Sequence, residues 1–115
     1  MSPDPSQLST INMMIAKLSL AQSDLLTAGR ATADDTKLLQ INNEYMGLQS
    51  CIDQAAQAQA AADDALFKQA TDALKTQAKK LDDMEKQIKE IISDVALAGR
   101  IAGYIAEAIA LVAKL

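Results

Sequence analysis

With 115 residues, 50% hydrophobic but only 3% aromatic, the chain can build one domain around a modest, alanine-rich core. Its 23% charged residues and long helical periods are the composition of a helical bundle or coiled coil. A net charge of −4, with Lys79-Lys80 as the only basic doublet, excludes a phosphate-binding surface and nucleic acid as a partner, and the lack of histidine removes the commonest general base and metal ligand.

The chain opens on MSPDPSQLST, polar, acidic and without a basic n-region, so no cleavable signal is expected. The expected locations are the cytoplasm, or outside the cell by a route that needs no cleaved signal. Proline occurs only at positions 3 and 5, and Asp4-Pro5 reads as an N-cap followed by proline in the first turn. A first helix is expected over about 5–29. Ile11, Met14, Leu18, Ala21, Leu25 and Ala28 form its 3-4-3-4 apolar seam, and Gly29 is the expected C-cap. Met13-Met14 reads as adaptable core, with a docking face for a partner helix as the alternative. Arg30 to Asp35 is the expected loop, with Thr32, Asp34 or Asp35 as the next cap.

A second helix is expected over about 34–61. Leu38, Ile41, Tyr45, Leu48, Ile52, Ala55, Gln59 and Ala62 stand at heptad spacing. Cys51 is the only cysteine, so no intrachain disulfide is expected and its role is structural. A second seam runs from Phe67 through Ala70, Leu74, Gln77, Leu81, Met84, Ile88, Ile91, Val95, Ala98, Ala102, Ile105 and Ile109 to Val112. The two seams are out of phase by one residue, so a turn is expected near 60–65, where Asp63-Asp64 can start a helix. Ala33-Asp34-Asp35 recurs as Ala62-Asp63-Asp64. Ser23-Asp24 with Ala28-Gly29-Arg30 recurs as Ser93-Asp94 with Ala98-Gly99-Arg100. The third helix, about 63–115, would be roughly 75 Å long if unbroken. It must fold back within 93–100, near Ser93 or Gly99, or be covered by other chains.

The acidic residues Asp82, Asp83, Glu85 and Glu90 interleave with Lys79, Lys80, Lys86 and Lys89. Asp82-Lys86 and Glu85-Lys89 have the stabilising i,i+4 order, so this stretch reads as a solvated helix flank. No phosphate loop, nucleophile-base pair or metal spacing appears. No catalytic, cofactor-binding or metal-binding residues are expected, and the chain reads as non-enzymatic.

The segment Val95 to Leu115, VALAGRIAGYIAEAIALVAKL, is broken only by Arg100, Glu107 and Lys114, seven residues apart on one narrow stripe. Gly99-x-x-x-Gly103 followed by Ala102, Ala106 and Ala110 suits a close helix crossing, in a bundle or in a membrane. Against a simple membrane span, Arg100 and Glu107 would lie within the hydrocarbon and Tyr104 at mid-span.

The stretch INMMIAKLSLAQSDLLTAG, Ile11 to Gly29, resembles the N-terminal helix of EspA-type filament proteins of type III secretion around Ala21-Gln22-Ser23-Asp24-Leu25. ALKTQAKKL, Ala73 to Leu81, is similar to the start of that family's C-terminal helix. The resemblance implies a secreted subunit that assembles into a hollow filament through a coiled coil of its terminal helices, with a cytosolic chaperone covering its seams before export. The chain is shorter than the sheath proteins, and its C-terminus is far more apolar. That layout looks more like translocators and α-helical pore-forming toxins.

The expected fold is therefore all-α, three or four long antiparallel helices in a single domain, 1–115. The expected function is assembly with copies of itself or with partner helices. The expected interaction seam is Leu81, Met84, Ile88, Ile91, Val95, Ala98, Ile105, Ile109 and Val112, with Gly99 and Gly103 as close-packing glycines. The alternative is a membrane-active protein that inserts Val95–Leu115 into lipid.

Overall fold

The computed structural model describes residues 4–115, and the Met1, Ser2 and Pro3 positions lie outside it. Four α-helices follow one another: α1 Pro5–Ala31, α2 Asp35–Gln59, α3 Asp64–Ile91 and α4 Val95–Val112. The connections are short, which forces consecutive helices to run antiparallel. Each helix packs on its two neighbours around a square, α1 and α3 each touching α2 and α4. Among the described residues, no Cα of α1 comes within 8 Å of α3, nor any of α2 within 8 Å of α4. The bundle measures 51 × 21 × 19 Å.

The helix starts are written in one residue type. Asp4, Asp34, Asp63 and Asp94 are the four N-caps, each with a side-chain oxygen accepting from a backbone N–H of the first turn. Asp34 accepts from the Thr36 and Lys37 amides at 2.9 and 3.1 Å, and Asp94 from Leu97 at 3.0 Å. Capping oxygens of this kind satisfy donors that have no intrahelical acceptor. The Ala-Asp-Asp echo thus marks two helix starts, as its sequence position suggests. The second echo has no common structural role: Ser93-Asp94 opens α4, whereas Ser23-Asp24 lies inside α1.

The α1 seam packs as its periodicity requires, with Ile11, Met14, Leu18, Ala21 and Leu25 fully buried and Ala28 nearly so. Gly29 does not end the helix. The chain stays helical to Ala31, Thr32 takes the C-cap, and no glycine has positive φ. In α2 the buried face is rotated from the expected one. Ile41, Leu48 and Ala55 are core, but Glu44, Cys51 and Ala58 complete the stripe. Tyr45 and Ile52 are half-buried, while Leu38, Gln59 and Ala62 are exposed. Apolar residues on both sides of the true stripe made the wrong 3-4 alternation look equally regular.

The long third helix is two helices. α3 ends at Ile91, Ser93 and Asp94 turn the chain, and α4 returns along α3 and α1. This fold-back falls at the N-terminal edge of the expected 93–100 window. A fully extended third helix would have left its seam uncovered, and folding back at Ile92–Asp94 lets α1 and α3 bury it.

Candidate interaction surface

Much of the expected interaction seam is spent inside the chain. Leu81, Met84, Ile88, Ala98, Ile105 and Val112 are buried by the bundle's own helices. Ile91 and Ile109 are half-buried, and Val95 is 83% exposed. Val95 stands one residue after the Asp94 cap, so its register belongs to a new helix and no longer to the α3 seam. Gly99 and Gly103 also lie outside the packed interior of the chain. A Cβ added at either would meet nothing within 4 Å, so neither sits at a helix crossing within the chain.

What remains outside is unevenly distributed. Of 11 basic and 15 acidic residues, α3 alone carries twelve, almost all of them exposed. Lys68–Asp72 and Glu85–Lys89 pair along its surface at 2.8 and 4.0 Å. Helix α1, diagonally opposite, has only Lys17, Asp24 and Arg30, and α4 has only Arg100 and Glu107. The outward face of α1 carries Met13, Ala16, Ser19, Leu20, Ser23 and Thr27, all exposed. The outward face of α4 is nearly bare backbone: Ala96, Gly99, Gly103, Ala106 and Ala110 are exposed along it.

The few charges between these two helices are matched. Arg100 donates from Nε to Oδ2 of Asp24 at 2.7 Å and from Nη2 to Oδ1 at 3.0 Å. This fork-to-fork hydrogen bonding, with the attraction of the carboxylate, raises the guanidinium pKa above its ordinary value. Seven residues away on each helix, Lys17 Nζ lies 2.9 Å from Glu107 Oε2 and 5.9 Å from the centre of the Tyr104 ring. Both charges of α4 therefore clamp it to α1. The sequence showed the Arg100–Glu107–Lys114 spacing. It also held the Lys17–Asp24 spacing with the same order of sign, plus then minus, which sets opposite charges level only when the two helices run antiparallel.

Other polar contacts join α1 to α2. Gln22, nearly buried on α1, donates to the Tyr45 carbonyl and to Gln49 Oε1 on α2 at 3.2 and 3.0 Å. Gln59 donates to Asn12 across the same pair of helices. Burial raises the Cys51 thiol to about 11, which keeps it protonated and unreactive. Burial also raises Glu44 to about 7. A cavity of about 520 Å³ opens between the α1–α2 and α3–α4 turns over Ala28, Ile41 and Leu97, with Lys37 bonded to Ser93 Oγ at its rim. Among the described residues no cluster of His, Cys, Asp and Glu can hold a metal ion. No protein-family model, curated protein or solved structure matches this chain.

Proposed function

We propose that the chain is a non-enzymatic assembly protein that associates with copies of itself or with partner helices through its charge-poor helix faces. The observation that carries this reading is the partition of charge around the bundle. Helix α3 presents a densely charged, well-solvated surface, while α1 and α4 present Ser, Ala, Gly, Met and Leu. Apolar side chains stand exposed on these helices, Met13, Leu20 and Val95 at 50%, 45% and 83%, and also on α2, Leu39 and Met46 at 62% and 65%. The resemblance of Ile11–Gly29 and Ala73–Leu81 to type III secretion helices would make the assembly a secreted filament or translocon subunit with a chaperone before export. The test is molecular mass in solution by light scattering. Assembly predicts a mass that is a multiple of 12.2 kDa and falls on dilution, and a concentration-independent 12.2 kDa monomer with no helical partner opposes it.

One observation favours a second reading. Val95–Val112 has a mean hydropathy of 1.7 over 18 residues, and only 39% of it is buried in the bundle. A membrane-active protein would release α4 from the bundle and insert it, with Arg100 and Glu107 facing other copies in a pore. Dye release from liposomes tests this reading, and intact vesicles across pH and lipid composition count against it.

A further inference from the structure

We propose that the partner is a second copy of this chain, docked through the wall formed by α1 and α4 about a two-fold axis parallel to the helices. The proposal rests on the assembly reading above and specifies its surface and geometry.

The two ion pairs fix the relative height of α1 and α4. Lys17 is level with Glu107 and Asp24 with Arg100, so Leu20 lies within one residue, about 1.5 Å, of the level of Gly103, and Met13 within one residue of Ala110. A two-fold axis along the bundle preserves height and exchanges left with right. It therefore lays α1 of one copy over α4 of the other without shifting the register. Leu20 then meets Gly103 of the other copy, and Met13 meets Ala110. Both knobs are half-exposed in the single chain, and the Gly103 trough has open space where a Cβ would be. A face-to-face contact of this kind is self-complementary, as a two-fold interface must be.

The charges agree with the same operation. The ion pairs lie between the Leu20 ridge and the Gly103 trough. Under the two-fold, Lys17 comes over Glu107 of the other copy and Asp24 over Arg100. Each pair and its mate close a ring of four alternating charges, with no like charges opposed. A two-fold lying in the wall and perpendicular to the helices would set α1 on α1 and α4 on α4, losing the fit of knob to trough.

The wall is also large enough. Helix α4, at 18 residues, is about 27 Å long, and the bundle is 19–21 Å across. Two such walls in register remove on the order of 1,200 Å² from water, the lower end of stable interfaces.

The experiment is light scattering on wild type and on Leu20→Arg, Gly103→Arg and the α3 control Gln69→Arg. All three positions are exposed, so the monomer fold is preserved and circular dichroism checks it. The expected result is a dimer whose dissociation constant rises at least about 100-fold in Leu20→Arg and Gly103→Arg and is unchanged in Gln69→Arg. In a Cys51→Ala background, Leu20→Cys mixed with Gly103→Cys should oxidise to a disulfide-linked heterodimer, while each alone stays largely uncrosslinked. An oligomer that resists both arginine variants but dissociates with Leu39→Arg or Met46→Arg on α2 overturns this geometry and leaves the assembly reading standing. A wild type that stays monomeric up to about 1 mM, where even micromolar affinity fills the interface, overturns the geometry. If no helical partner is found either, the assembly reading falls with it.

Discussion

Arg100 of α4 holds Asp24 of α1 in a two-pronged hydrogen-bonded ion pair, 76 residues apart in the chain. The pair joins the first helix to the last and sits where the Asp24 side chain is only 17% exposed. Replacing Arg100 by Met keeps the stem that covers the wall but removes the fork. Arg100→Met and Asp24→Asn should each lower the thermal midpoint, and the double variant should lose less than the two together. The difference should shrink in about 1 M salt, where charges are screened within roughly 3 Å. Additive losses at low salt would mean that the pair contributes no coupling.

Glu44 gives the bundle a pH dependence opposite to that of most acidic proteins. Its side chain belongs to the buried α2 stripe with the carboxyl still reaching water, makes no ion pair among the described residues, and has its pKa raised by desolvation from 4.5 to about 7. The folded state then keeps a proton that the unfolded state gives up. Stability is fully present below the unfolded value of 4.5, falls as pH rises, and levels off above about 7. The loss should be about 1–2 kcal/mol after discounting for the water that still reaches the carboxylate. Glu44→Gln should flatten this slope. It should match wild type below about pH 4 and exceed it above about pH 8 in urea melts. An unchanged slope would place the titration elsewhere.

The sequence was most informative where one periodicity stood alone. The α1 seam and the Asp4 cap follow from residues that admit one helical reading, whereas the α2 cap stayed open among Thr32, Asp34 and Asp35, and a fold-back after α3 competed with coverage by other chains. α2 was harder, because Tyr45 and Ile52 offer an apolar stripe as regular as the true one through Glu44 and Cys51. A buried glutamate is not what a hydrophobic pattern searches for. The seam also could not say who covers it. Leu81, Ile88 and Ile105 read equally well as a surface for another chain or as the core of this one. Only the fold-back at Ile92–Asp94 decides that, because it brings α4 alongside α1 and α3. The outer wall was legible only in part. Met13 and Leu20 are seven residues apart on the side away from the seam, but their alignment with Gly103 and Ala110 needs the heights set by Arg100–Asp24 and Lys17–Glu107.

Asp94 carries the fold-back. The turn between α3 and α4 has only three residues, Ile92, Ser93 and Asp94, and α4 has no acidic residue in its first turn. Asp94→Ala removes the acceptor for the Leu97 amide and should cost about 1 kcal/mol, within a range of roughly 0.5–2. Asp94→Asn should restore most of it, because an amide oxygen caps nearly as well. Hydrogen exchange should show faster opening at the start of α4. Equal protection in Asp94→Ala and wild type would mean that packing of Leu97 and Ala98 holds the turn without the cap.

The four glycines supply a graded test of packing, because all sit in helices and none needs positive φ. Alanine in place of an interior helical glycine is favourable by about 1 kcal/mol from propensity alone. At Gly99 and Gly103 the added methyl meets open space, so each Ala variant should gain about 0.5–1 kcal/mol in the single chain. At Gly29 the methyl comes within 3.3 Å of Leu38 Cδ1 and 3.7 Å of Ile41 Cγ2. Leu38 is 36% exposed and can swing aside, so part of the gain should remain. At Gly47 the methyl would lie 2.9 Å from Met84 Cε and 3.3 Å from its Sδ. Met84 is only 8% exposed, so its thioether must repack inside the α2–α3 contact. Gly47→Ala should therefore lose the propensity gain and come out neutral or destabilising by up to about 1 kcal/mol. The order of denaturation midpoints, Gly103 and Gly99 above Gly29 and Gly29 above Gly47, follows from space alone. A Gly47→Ala variant as stable as Gly103→Ala would show that the α2–α3 contact is looser than Met84 makes it.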